Sequence, residues 1–182
     1  MRIFFCGILL LGVMVKSEAQ NKFTSDNGEI KFASKAQLEL IQASSNKLQG
    51  ILDPATNQFA FLVNVQSFQG FNSELQRKHF NENYMESEKF KQAKFSGKII
   101  EQIDYTKDHT FDVRAKGELE IHGQKQTRII KGKITVKGNQ IIIEANFMVP
   151  LSDHSISIPK IVSQKIATEI EVDINTTLSR QQ

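Results

Sequence analysis

The chain has 182 residues, 40% of them hydrophobic and 24% charged, with a formal net charge of +3 at neutral pH. Lysines and acids are interspersed with no basic run, which excludes a nucleic-acid-binding face. The length supports one domain able to bury a core, and a single cysteine, Cys6, excludes an internal disulfide.

The first nineteen residues read as an export signal. Arg2 supplies a positive start, residues 3–15 are an apolar run, and Ser17-Glu18-Ala19 places small residues three and one positions before a cut at Gln20. The run is too short for a bilayer, which takes about 20 apolar residues. Cys6 lies inside the apolar run rather than after a small-residue box, so a lipoprotein is not expected, and cleavage removes it. The mature chain is then residues 20–182, 163 residues with a charge of +2 once Arg2, Lys16 and Glu18 are gone. No later segment is apolar enough to span a membrane as a helix. A periplasmic or secreted protein is expected.

Period-two alternation dominates the mature chain. Weak strands are expected over residues 23–33 and 37–49, then a turn at Asp53-Pro54-Ala55-Thr56-Asn57. Phe59, Phe61, Val63 and Val65 form the dry face of a strand. Residues 71–85 break the pattern with a polar helix. Ser73-Glu74-Leu75-Gln76 matches a capping box, and Phe71, Leu75, Phe80 and Tyr84 form a loose helical stripe. A weak strand comes next, over residues 94–103. Residues 111–121 alternate strictly, apolar or small on odd positions and charged on every even one. After a turn at His122-Gly123-Gln124, Ile130, Gly132, Ile134 and Val136 form one face. Ile141, Ile143, Ala145, Phe147 and Val149 form the next, joined to it through Lys137-Gly138-Asn139-Gln140 as a hairpin. A weak strand is expected at residues 155–158 and a strong one at residues 166–174.

About eight strands with short turns and no βαβ spacing make an all-β, antiparallel fold. A sandwich and a closed barrel use the same alternation. Closure removes exposed edges, and an eight-stranded barrel is wide enough for one slim ligand. On the residues alone a roughly eight-stranded barrel is only slightly favoured over a sandwich, with one short helix inserted near residues 73–85. That helix either lines a mouth or plugs an end.

Catalytic signatures are missing. The mature chain has no thiol, and His79, His109, His122 and His154 are far apart, without the H-x-H or H-E-x-x-H spacing that places two imidazoles on one metal. There is no G-x-S-x-G and no phosphate-binding glycine loop. The acids lie mainly on wet strand faces, and nothing marks a facing carboxylate pair. No catalytic residue, metal ligand or cofactor is assigned.

Several segments carry a family likeness. Residues 68–97, with HFNENYMES at 79–87 and KF-x-x-A-x-F-x-G at 89–97, resemble the YceI-like family. So do GELEIHG at 117–123 and FMVPLSDHSISIPKIVSQKIATEIEVDI at 147–174. The HFNENYMES wording is similar to that of Bacteroidetes members. Two departures stand out: Lys91 and Gln92 replace a frequent proline and a polar residue, and Glu120 and residues 124–126 differ near the His122-Gly123 turn.

The resemblance implies an extended, lipocalin-like antiparallel β-barrel in the periplasm, holding a polyisoprenoid or quinone-type lipid in its interior in a non-catalytic carrier or sequestering role. It implies an apolar wall from Phe59, Phe61, Val63, Phe71, Phe80, Tyr84, Phe95, Phe111, Val113 and Phe147. Arg77 and His79 are candidates for head-group contacts. For His79 the competing reading is a local helix-end hydrogen bond, and for Arg77 ordinary solvation. The mature chain's eleven phenylalanines, with no tryptophan, suit an apolar wall that has no ring N–H to satisfy. The competing reading of the whole is a secreted structural or stress-related barrel with a filled core and no ligand. The partner expected is a hydrophobic lipid and not a nucleic acid; monomer or homodimer stays open.

Overall fold

The computed structural model describes residues 22–181; the export signal read in residues 1–19 lies outside them. Eight strands run in order: β1 Phe23–Lys35, β2 Leu40–Asp53, β3 Gln58–Asn64, β4 Gln92–Ile99, β5 His109–Ile121, β6 Gln124–Lys137, β7 Gln140–Pro150 and β8 Glu169–Arg180. Each pairs antiparallel with its sequence neighbours, and β8 returns to β1 to close a barrel. The helix α1, Glu74–His79, continues as a π-helical turn Phe80–Tyr84 within the β3–β4 connection.

The alternation read from the sequence becomes inside and outside. Phe111, Val113, Ala115, Gly117, Leu119 and Ile121 of β5 share one face, and the lysines and acids between them are exposed or partly exposed. The two ends of the barrel differ sharply. At one end Phe23, Leu52, Ile141 and Leu178 are completely buried, packed with Phe59, Val113, Ile134 and Val136. The connections here are two tight turns and the loop of residues 100–108. Tyr105 from that loop donates to Asn57 Oδ1 at 2.9 Å, and Asn57 Nδ2 donates to the Glu101 carbonyl at 3.0 Å. Burial, with Asp53 nearby, pushes the Tyr105 phenol up to about 12. This is the closed end.

The opposite, open end carries the longer connections: residues 65–91 with the helix, and residues 151–168. Here the same inward faces are only half-buried, as at Phe32, Phe147, Ile170, Val172 and Ile174.

Two ladders lose their pairing toward the open end. β2 and β3 pair only from Asp53↔Gln58 to Gln49↔Leu62, after which a single bridge joins Ser44 to Gln69 and Phe68 fills the gap. β6 and β7 pair only from Lys137↔Gln140 to Gly132↔Ala145. Beyond that point the 3-10 turn Leu151–His154 closes the seam through side chains. Arg128 donates to the Met148 carbonyl at 2.9 Å and to the Asp153 carboxylate at 3.1 Å, and Gln126 donates to the Asp153 carbonyl at 2.8 Å.

Local expectations were met in part. Ser73 caps the helix, its hydroxyl accepting from Gln76 N at 3.1 Å, but the Gln76 side-chain Oε1 accepts from Asn72 N at 3.0 Å rather than from the Ser73 amide. Residues 155–158 form no strand: Ser155 is left-handed at φ 56° and Ile156 drops into the interior. β8 starts at Glu169, three residues later than read, and runs on to Arg180. Its sequence pattern ended at residue 174 because the inward position Thr176 is polar; that hydroxyl donates to Ser25 Oγ at 3.1 Å.

Candidate functional site

The half-buried interior of the open end encloses an apolar cavity of about 470 Å³, within the range of roughly 300–1,000 Å³ typical of small-molecule sites. Its walls are the upper inward positions of the strands, among them Phe32, Leu48, Leu119 and Ile170. Phe71, Phe80 and Tyr84 from the helical segment pack over one side, Phe80 stacking on Phe32 at 5.3 Å and tilted against Phe71 at 5.0 Å. Burial raises the Tyr84 phenol above its ordinary value.

Phenylalanines make the floor. Phe61, Phe95 and Phe147 face the cavity above and a smaller void of about 60 Å³ below. Phe59 packs beneath them, 5.0 Å from Phe95 and 5.9 Å from Phe61. Glycines on neighbouring strands make room for two of these rings, Phe61 and Phe95. A Cβ at Gly50 would overlap the Phe61 ring, and one at Gly117 would crowd Phe95 and overlap the Ser96 carbonyl.

Apart from Lys94 on β4, the charged and amide residues of the lining lie at the open end. Glu39 accepts from Gln76 Nε2 at 2.9 Å and from Asn72 Nδ2 at 3.4 Å, tying the β1–β2 tip to the helix. Ser34, Ser73, His79 and Lys165 complete this rim. The arrangement suits a molecule with a long apolar part and a small polar end. Each buried methylene contributes about 0.8 kcal/mol, so some ten carbons supply about 8 kcal/mol, comparable with the cost of association.

The residues singled out from the sequence fall into three groups. Phe61, Val63, Phe71, Phe80, Tyr84, Phe95 and Phe147 line the cavity, and His79 stands exposed on its rim. Phe59 and Val113 belong to the packed core and border only the lower void. Phe111 sits lower still, packed on that core with its ring edge-on to His109 at 4.7 Å. Arg77 points away from the cavity, into an outer polar groove, and pairs with Glu74 at 3.4 Å. The wall residues Ile170, Val172 and Ile174 were visible as an apolar face, but nothing in the sequence separates a cavity wall from a core. Among the described residues no three histidines, cysteines or acids cluster in a way that could hold a metal ion.

Beside the cavity, His154 is fully buried in the β6–β7 seam. Its Nδ1 lies 3.3 Å from the Gln124 carbonyl, while Nε2 has no partner among the described residues. The His154 carbonyl in turn lies 3.1 Å from His122 Nδ1, and His122 Nε2 is 2.8 Å from Glu86. Burial pulls the His154 imidazole below its ordinary value. The unfolded chain therefore takes up this proton at a higher pH than the folded one. The contribution to stability is fully present above about pH 6.5 and declines as pH falls below it. Denaturant titrations on either side of that value should show the loss in the native protein, and His154→Gln should flatten it. An equal slope in both proteins would remove His154 from the account.

The family model of the YceI-like domain matches residues 12–178. A search of curated proteins finds no match. Among solved structures, one described as a polyisoprenoid binding domain from Saccharophagus degradans implicated in plant cell wall breakdown is similar. It has 12% identity and a TM-score of 0.72, covering 89% of this chain and 99% of that one. Burkholderia cenocepacia BcnA is similar at 14% identity and a TM-score of 0.68, over 82% of this chain and 95% of its own. A YCEI protein from Campylobacter jejuni has 12% identity and a TM-score of 0.55, over 100% of this chain and 91% of its own. At these identities the likeness is one of fold.

Proposed function

This chain belongs to the YceI-like domain family, and from that premise we propose that it is an exported, non-catalytic carrier of an isoprenoid lipid. The ligand is a polyisoprenoid or an isoprenoid quinone, held with its tail down the barrel and its polar end at the rim of Glu39, Gln76, His79 and Lys165. The observation that carries this reading is the change in burial along single strand faces. In β8, Leu178 is completely buried, whereas Ile174, Val172 and Ile170 on the same face are half-open to a cavity of about 470 Å³. A filled-core structural module has no use for that opening. The description of the similar S. degradans domain as polyisoprenoid-binding agrees with it. The protein acts by burial and release, in the periplasm or outside the cell, and no step of it requires a reacting side chain.

Native mass spectrometry of protein purified without detergent, with subsequent solvent extraction, tests the reading. The expected result is a noncovalent adduct that releases an isoprenoid. A barrel that is empty on isolation and then takes up neither a polyprenol nor a menaquinone analogue would sink the carrier reading.

A further inference from the structure

The large hydrophobic side chains that remain exposed among the described residues are unevenly placed. Ile51, Ile100, Ile129 and Met148 are scattered over outer strand faces and the closed end. Leu38, Leu40, Leu75 and Ile161 all belong to the open end, and Ile161 is 92% exposed, Leu38 63% and Leu75 61%. They come from three segments joined by hydrogen bonds. Leu38 N donates to the Gln164 carbonyl at 2.9 Å, and Asn72 Nδ2 donates to the Leu40 carbonyl at 3.0 Å. Leu75 also lines the cavity, so the exposed apolar rim meets the cavity wall at that residue.

The charges beside this rim are of one sign where the protrusion is greatest. Residues 155–168 carry Lys160 and Lys165 and no acid, and neither lysine forms an ion pair among the described residues. Of the acids on this rim, Glu39 accepts from the Gln76 and Asn72 amides and Glu74 pairs with Arg77, while Glu169, which follows the segment, is exposed with no ion pair among the described residues.

We propose that the open end is a docking surface for an anionic lipid bilayer. Ile161 and Leu38 enter the boundary between head groups and acyl chains, and Lys160 and Lys165 stay in the head-group layer. The cavity mouth then meets hydrocarbon, and an apolar tail passes between bilayer and barrel without crossing water. The inference rests on the reading of the barrel as a lipid site. A second copy of the chain fits this rim less well. The apolar side chains stand singly around a hole, rather than as a face of about 800 Å² per partner. A two-fold contact would also bring the lysines of both copies together.

Vesicle flotation of the full protein tests the proposal, with phosphatidylcholine vesicles that contain or lack phosphatidylglycerol. The protein should float with the anionic vesicles, less with the neutral ones, and less at high salt. The double variant Leu38→Asp, Ile161→Asp should lose about tenfold or more in partitioning. Lys160→Glu with Lys165→Glu should abolish the preference for phosphatidylglycerol. None of these four side chains except Lys165 touches the cavity. A native protein that does not float, or an Asp variant that floats equally well, overturns the proposal. So does a concentration-dependent dimer that Ile161→Asp dissolves. Uptake of a fluorescent apolar probe from vesicle-free buffer separates the two readings. No uptake by the native protein means that the lipid site itself is wrong. Normal uptake by an Asp variant that still floats means that only the docking surface is wrong.

Discussion

Phe23→Ala is expected to lower the unfolding free energy by about 3–5 kcal/mol while leaving uptake of an apolar probe unchanged in the protein that remains folded. Phe23 is completely buried at the closed end, where β1 pairs with Leu52 of β2 and Arg180 of β8. Its ring packs among Leu52, Ile141 and Leu178, and the Arg180 guanidinium lies 5.2 Å from the ring centroid. The positions on either side of it in the barrel are fixed by the ladders, so the site cannot collapse around an alanine. The measurement is the denaturation midpoint at unchanged slope. A loss below about 1 kcal/mol, the size of an ordinary surface change, would mean that the closed end is not the stabilising core. The Phe23 ring does not border the cavity, which is why ligand uptake should not track stability here.

The converse result is expected of Val172→Glu: little change in stability and a loss of apolar-ligand affinity of a hundredfold or more. Val172 lies opposite Phe32 and Phe147 on the neighbouring strands, and its side chain is half-open to the cavity. In the unliganded barrel a carboxylate there keeps contact with solvent through the mouth. An apolar tail would strip that contact and leave the charge unpaired, a penalty of several kcal/mol, and about 2.7 kcal/mol already corresponds to a hundredfold. Titration with a polyprenol or a fluorescent apolar probe reads the affinity, and a thermal melt the fold. Uptake equal to that of the native protein would show that the ligand does not occupy this cavity. Together the two substitutions separate the core from the wall, although both residues face the barrel interior.

That separation is what the sequence could not supply. The strands were legible because each has one dry and one wet face, and β5, β7 and β8 alternate over many residues. The fate of a given inward residue depends on its height in the barrel, which is set by register. Phe59 and Phe61 are two positions apart on the same face, yet Phe59 is packed in the core and Phe61 borders the cavity. Val113 and Leu119 divide in the same way along β5. The floor was hidden for a further reason: it depends on pairs across strands, Phe61 over Gly50 and Phe95 over Gly117, that alternation within one segment does not reveal. The error at residues 155–158 is of another kind. Ile156-Ser157-Ile158 mimics a strand, but the backbone turns at Ser155 and Ile156 is buried at the cavity wall rather than paired in a ninth strand. In the helix, the π-helical turn brings both Phe80 and Tyr84 to the cavity, while Arg77, one turn earlier, remains on the outer side.

The side-chain closure between β6 and β7 changes what kind of object the barrel is. A fully laddered barrel is a hoop: its circumference is fixed by backbone hydrogen bonds and cannot be altered without breaking several at once. Here the closed end comes near such a hoop, interrupted by the irregular stretch of β1 between Thr24 and Glu29 and by the loop of residues 100–108, but between β6 and β7 the open end is a cuff fastened by a clasp of Arg128, Gln126 and Asp153. Girth at the mouth is therefore set at two seams, by these three side chains between β6 and β7 and by Phe68 with the Ser44–Gln69 bridge between β2 and β3, and depth by a floor of phenylalanines. The two dimensions of the ligand space are held by separate parts of the chain, so substitution can alter its width without altering its length.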